Sequence, residues 1–471
     1  MPRLDPDRLF PLEARARDLA RALYGAVADL PIVSPHGHCD PAWFAGNDRF
    51  PDPARLFVTP DHYVFRMLFS QGVPFDALGV PRADGGAVET DGRAIWRVFA
   101  ANYHLLRATP PAMWIDHALE HVFGWTPPLV AATADACYDH LSDCLAQDGF
   151  RPRALFDRFG VETLATTDSA LDPLEAHAAI RASDWGGHVI PTYRPDAVVD
   201  PDHEGFARNV DALGAMTGED VSSWRSYLAA HRARRAEFVA MGARASDHGH
   251  PTARTEDLPE AEAAALYDRV RAGQASAKEA ETFRGQMLTE MARMSLEDGL
   301  VMQIHAGAAR NHSAAMLASH GRDMGFDIPT RTDYVTALRP LLSAHGTDPR
   351  LRVIVFTLDE TAYSRELAPL AGVYPALLLG PAWWFFDSPE GMRRYREAVT
   401  ETAGFYNTAG FNDDTRAFCS IPARHDVARR VDCAYLATLV ATGRLAEADA
   451  HEVAQDLAYN LAKRAYRLDR A

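Results

Sequence analysis

The chain has 471 residues, 47% of them hydrophobic, and a formal net charge of −16. That acidity argues against a nucleic-acid partner, since phosphate binding needs a basic surface; no stretch has the apolar length of a membrane span. The five cysteines, Cys39, Cys137, Cys144, Cys419 and Cys433, form no CxxC pair and therefore no disulfide framework or thiolate zinc motif.

Residues 1–30 carry charges throughout and no apolar segment of the kind a signal peptide needs, so the protein is expected in the cytoplasm. Leu19, Leu23 and Val27 fall on one side of a predicted amphipathic helix. Eight short apolar runs then follow, at residues 30–38, 161–168, 188–194, 237–248, 299–307, 351–359, 373–384 and 409–416. Continuous apolar runs fit strands buried on both faces. Helical patterns such as 172–183 and 389–402 separate them, which predicts βα units. Eight such units predict a (β/α)8 TIM barrel whose active site lies at the C-terminal strand ends. A doubly wound open sheet is the alternative, but no glycine-rich phosphate loop marks its switch point. The long gap after the first run holds helix-like patterns at 61–69, 93–106 and 112–123. The predicted division is 1–70 for the N-terminal helix and first strand, 71–153 for a helical insertion, and 154–471 for the rest of the barrel. The charged interval 251–295 predicts surface helices.

Chemistry-bearing residues gather at the predicted strand ends: His36 and His38, Asp168, Arg194, Asp247 and His248, His305, Asp359, Asp414 and Arg416. In a strand, His36 and His38 point to one side and can reach one cation, with Gly37 leaving room for close backbone approach. His305 ends QIHAG at another strand end. A histidine there is commonly a hydrogen-bonded core residue, but beside an HxH pair it becomes a candidate ligand or base. Asp414 and Arg416 form DTR; Asp414 fits a mixed His/Asp zinc site and also the role of a base. Arg194, Arg310 and Arg416 point to an acidic substrate, because guanidinium forks bind carboxylates. Trp383 and Trp384 are expected to pack, with Trp383 a candidate for sugar contact. Asp61 is a predicted N-cap, and Tyr63 is placed to fold over the barrel mouth as a donor. His425 is expected to be structural.

The segments HGH, TTDSALDPLEAH (166–177), PTYRPD (191–196), MQIHAGAARN (302–311), LGPAWWFFD (379–387) and DTRAF (414–418), with Asp61-His62-Tyr63 and the C-terminal RAYRL, run in one order along the chain. Together they resemble the uronate isomerases of the amidohydrolase superfamily. The resemblance implies an amidohydrolase-type barrel that isomerises D-glucuronate to D-fructuronate and D-galacturonate to D-tagaturonate. It implies metal histidines at His36 and His38, with His305, Asp414, Arg416, Arg194 and Tyr63 at the family's other functional positions. Adjacent aspartates, Asp413 and Asp414, leave the eighth-strand assignment dependent on DTR. The superfamily's carbamylated lysine and sixth-strand histidine are absent, since the sixth run ends FTLDE, which favours one divalent metal, zinc, over two. A cis-enediol route needs no dinucleotide, and none is signalled. A small-molecule hexuronate substrate and a homo-oligomer are expected. A mononuclear metal-dependent hydrolase is the competing function; a non-catalytic binding protein would not need acid, base and metal groups together.

Overall fold

The strands of this computed structural model, which describes residues 4–469, run parallel around a ring. Ile32–Ser34 (β1) pairs with Val161–Ala165 (β2), which continues as Asp168–Ser169 (β3). Val189–Ile190 (β4) pairs with β2 and runs on into Tyr193–Arg194 (β5), which pairs with β3. Ala245–His248 (β6) follows β5, and Val301–Ala306 (β7) follows β6. The chain then makes an antiparallel ribbon of Ala308–Ala309 (β8) with Ile328–Pro329 (β9). Val353–Thr357 (β10) rejoins the ring beside β7, and Leu377–Leu379 (β11) pairs with β10. The eighth position is an extended segment. Thr408 bridges Leu379, the Asp414 N–H donates to the His36 carbonyl at 3.2 Å, and the His38 N–H donates to the Thr415 carbonyl at 2.8 Å. Those bonds close the barrel.

Strand alternation sorts the side chains. Val301, Ile354 and Phe356 share the interior cluster with Ala245, whereas Met302, Ile304, Val353 and Val355 pack outward against helices. Gln303 and His305 follow Val301 at two-residue spacing, so they too face inward from β7. The Tyr466 hydroxyl donates to Gln303 Oε1 at 2.7 Å and accepts from Asn412, which gives the C-terminal RAYRL segment a physical role within the barrel.

Two sequence expectations need correction. The fourth run is not strand throughout: residues 237–240 end the helix Trp224–Ala240, whose buried Arg235 and Phe238 extend its inward face, and the strand begins only at Ala245. The turn between them uses Gly242 at φ 99°, a conformation that favours glycine. The charged interval does not form surface helices alone. Ala277–Asp298, started by a Ser276/Glu279 capping box and ended by Gly299 at φ 82°, buries Phe283, Met287, Leu288 and Met291 in the main core.

Among the described residues, the stretch between β1 and β2 is helices and turns. Phe57, Phe65, Trp96, Phe99 and Ile115 from these helices form one cluster with Ile32, Val161 and Leu164, so the helices rest on the outer side of the first strands. All five cysteines are buried free thiols, and no helix among the described residues is long and apolar enough to cross a membrane.

Candidate active site

A cavity of about 910 Å³ lies over the C-terminal strand ends and is lined by His36, His38, Tyr63, Arg194, Asp247, His305, Arg310, Trp383, Asp414 and Arg416, among others. The sequence-predicted site residues thus come together in one place. Most arrive from the ends of different strands, as a parallel barrel requires, while Tyr63 comes from the helix His62–Phe69.

The histidines are held by stacking. The His305 ring stacks on Phe356 of the neighbouring strand, with centroids 4.0 Å apart, and on His36, at 4.5 Å. His36 meets His38 edge-on at 5.3 Å. A Cβ at position 37 would meet the Thr415 backbone at 3.5 Å, an ordinary contact, so the expected need for glycine there does not hold on steric grounds.

The adjacent aspartates part ways. Asp413 turns away from the cavity to accept from His425 Nε2 at 3.0 Å, on the helix Ile421–Ala441, which gives His425 the structural role expected for it. Asp414 sits at φ 46°, the left-handed region, which Asp tolerates better than most residues and which is found at functional sites. Its Oδ1 has His38 Nε2 at 3.1 Å and His36 Nε2 at 3.5 Å, and its Oδ2 accepts from Trp383 Nε1 at 2.8 Å. Burial works to raise the Asp414 pKa, but the two imidazoles outweigh it and hold the carboxyl well below its ordinary range. Burial pushes His38 down to about 4, so it is neutral and able to act as a ligand.

Asp247, at the end of β6, is a site residue whose role the sequence did not reveal. It accepts from His305 Nδ1, and its Oδ2 lies 3.1 Å from Arg194 Nη1. Burial opposes its ionisation, yet the charges of His305 and Arg194 keep it well below the usual carboxylate range. Its position at a strand end was the one available signal. Arg194 also bonds Asp196 at 2.8 Å, so two carboxylates already engage it.

Beneath strand eight, Arg424 pairs with buried Asp387, donates to the Asp413 carbonyl at 2.7 Å and stacks over Trp114 at 3.7 Å. Burial lifts Asp387 to about 7 despite this partner. Asp61 caps the helix His62–Phe69 by accepting from the Tyr63 N–H at 2.8 Å, as expected, and leaves Tyr63 buried against Trp114 at the cavity wall. Burial, followed by the Asp414 charge, raises the Tyr63 pKa far above its ordinary value, so the phenol keeps its proton.

These residues fit a divalent cation. Ligand atoms of His36, His38 and Asp414, and of His36, Asp247 and His305, fall within 4.8 Å of one another in each group. His305 Nε2 is buried with no hydrogen-bond partner, a costly state that a bound ion would relieve. Imidazole with carboxylate suits zinc and its neighbours.

A sequence model of the glucuronate isomerase family matches residues 10–466. A uronate isomerase from Rhizobium meliloti (strain 1021) is 65% identical over 465 residues, 99% of each chain. The crystal structure of glucuronate isomerase from Caulobacter crescentus superposes with a TM-score of 0.98 at 59% identity, covering 99% of this chain and 98% of that one. The uronate isomerase structure from Thermotoga maritima gives a TM-score of 0.91 at 26% identity, covering 98% and 99% of the two chains. With fold, strand-end site and full-length similarity in agreement, this chain belongs to the glucuronate isomerase family.

Proposed function

We propose that the protein interconverts D-glucuronate with D-fructuronate, and D-galacturonate with D-tagaturonate, by carrying a proton between C2 and C1 of the open-chain sugar acid through a cis-enediol. The observation that carries this reading is the pairing, in one cavity, of an ionised carboxylate, Asp414, with two guanidinium groups at its outer side, Arg310 and Arg416. The first is a base for a C–H bond next to a carbonyl; the others are partners for a substrate carboxylate.

Asp414 takes the C2 proton and returns it at C1, while the hydroxyl proton passes from O2 to O1 across the cis-enediol. Trp383 fixes the orientation of that carboxylate through its hydrogen bond. Tyr63, protonated and buried, donates to the oxygens on which charge develops. Asp247 sets the ring orientation of His305 by accepting from Nδ1, which leaves Nε2 facing the cavity; His305 is the alternative base. One divalent ion, zinc, held by His36, His38 and Asp414 with His305 in reach, supplies Lewis acidity toward the sugar's carbonyl oxygen when bound.

The reading is tested by assaying D-glucuronate and neutral D-glucose side by side, with metal content measured on protein prepared without chelator. Turnover of the uronate alone and about one divalent ion per chain are expected. Comparable turnover of D-glucose would contradict the proposed recognition, and activity without metal that survives His36→Ala would remove the ion from the scheme.

A further inference from the structure

The segment between β8 and β9 leaves the barrel as a strap and leans on the helices that follow β1. Its helix Ala314–His320 accepts the Ala83 N–H at the Ser319 carbonyl at 2.8 Å, and His320 Nε2 meets Asp76 at 3.1 Å. Phe326 packs against Phe69 with ring centroids 5.7 Å apart. Between these anchors the strap turns back at Asp323, a non-glycine residue at φ 63°, and extends that side chain into the cavity.

Two arginines bracket it, one to each oxygen. Arg416 Nη2 stands 3.5 Å from Asp323 Oδ2, and Arg310 Nη1 stands 3.9 Å from Asp323 Oδ1. Both separations exceed a direct N–H···O bond, so the pairing is electrostatic and loose. The other acid on the strap behaves differently. Asp327 is 2% exposed and accepts from the Asn311 N–H at 2.6 Å, which makes it a fixed part of the turn, whereas the Asp323 side chain is 48% exposed. Arg310 Nη1 also lies 3.5 Å from Asp327 Oδ2, nearer than Asp323, so Arg310 is shared between the two acids, whereas among the described residues Arg416 pairs with Asp323. Asp323 therefore presents to these arginines the same group, a carboxylate with one oxygen per guanidinium, that a sugar acid would present.

We propose that Asp323 is a stand-in for the substrate carboxylate, holding Arg310 and Arg416 until a hexuronate exchanges its own carboxylate for it. The proposal rests on the uronate reading above and adds to it a residue that tunes affinity for the acid. A neutral sugar has nothing to exchange, so the arginine–aspartate contacts stay in place and it gains no charged bond; the built-in competitor acts on the acid alone. The competitor lowers apparent affinity for the true ligand by the fraction of time it occupies the arginines. Removing it should tighten binding, the opposite of what loss of a merely structural contact does.

The test uses the full-length, metal-loaded protein and L-gulonate, which is D-glucuronate with C1 reduced to an alcohol and cannot be isomerised. Asp323→Asn is expected to bind L-gulonate roughly three- to tenfold more tightly by calorimetry, to lower KM for D-glucuronate by a similar factor, and to leave the weak binding of neutral D-glucitol unchanged. Asp323→Gly, which suits the positive φ, should behave alike and covers the case in which the amide variant folds poorly. Unchanged or weakened L-gulonate binding in both variants overturns the proposal. Because L-gulonate binding is read without turnover, that result is distinct from failure of wild-type protein to isomerise D-glucuronate, which would overturn the functional reading instead.

Discussion

The groups buried at the strand ends and those at the rim of the cavity treat charge in opposite ways. Asp247 is buried to 1% and fixed by His305 and Arg194; Asp414 is pinned by Trp383 and by backbone bonds that close the barrel. Arg310, Arg416 and Asp323 are 30%, 32% and 48% exposed and meet only at 3.5 Å or more. Rigid elements hold reacting groups to tight tolerances, while loops that need only exchange one counter-charge for another tolerate looser geometry. The contrast assigns chemistry to the strand ends and recognition to the rim.

The largest effect is expected where the strand-end groups act directly. Asp414→Asn should lower kcat by on the order of 10²–10⁴-fold with the fold preserved by circular dichroism; near-normal kcat would break the assignment of chemistry to that strand. Next comes the support under it. Arg424→Met leaves buried Asp387 without its cation and should cost about 3–5 kcal/mol of stability, read as a lowered denaturation midpoint, with Asp387→Asn in the same background recovering part of it. At the rim, Arg310→Met should raise KM for D-glucuronate roughly 10- to 100-fold, the equivalent of a charged hydrogen bond, while kcat changes little. A fall in kcat of the same size would blur the division between chemistry and recognition.

The smallest effect concerns Asp168, at the end of the second strand. Burial raises its pKa to about 7 even though it accepts from Thr166 and Thr192. The folded protein therefore keeps a proton that the unfolded chain releases near the ordinary value of 3.8, and the associated stability is lost as pH rises toward and through about 7. The melting temperature should fall between pH 5.5 and 8 by roughly 2–4 °C more in the wild type than in Asp168→Asn. Identical slopes would show that this carboxyl carries no such penalty.

Much of this was legible in the sequence where local pattern and chemistry coincide. His36, His38, His305 and Asp414 each end an apolar run, and a parallel barrel converts that shared position into proximity. Asp247 was harder to identify, because the helical periodicity of 237–240 runs almost into its strand and hides where the strand begins. Asp323 lies in a segment with no periodicity, and its relation to Arg416 exists only once the strap has folded back across the mouth. Arg424 sits in a helix rich in arginine, where nothing local separates the one buried beneath Asp414 from its neighbours. The carboxylate pair Asp413 and Asp414 was told apart in the sequence by the DTR motif alone; in the structure Asp414 bends into the left-handed region and Asp413 does not.

The central claim, that a proton and not a hydride moves between C2 and C1, is tested most directly by the fate of a label. Isomerisation of C2-deuterated D-glucuronate in ordinary water, with the fructuronate analysed for deuterium at C1, should show a primary isotope effect and at least partial replacement of deuterium by solvent hydrogen. Complete retention of deuterium at C1 over full conversion would contradict the enediol and leave direct hydride transfer as the chemistry of this site.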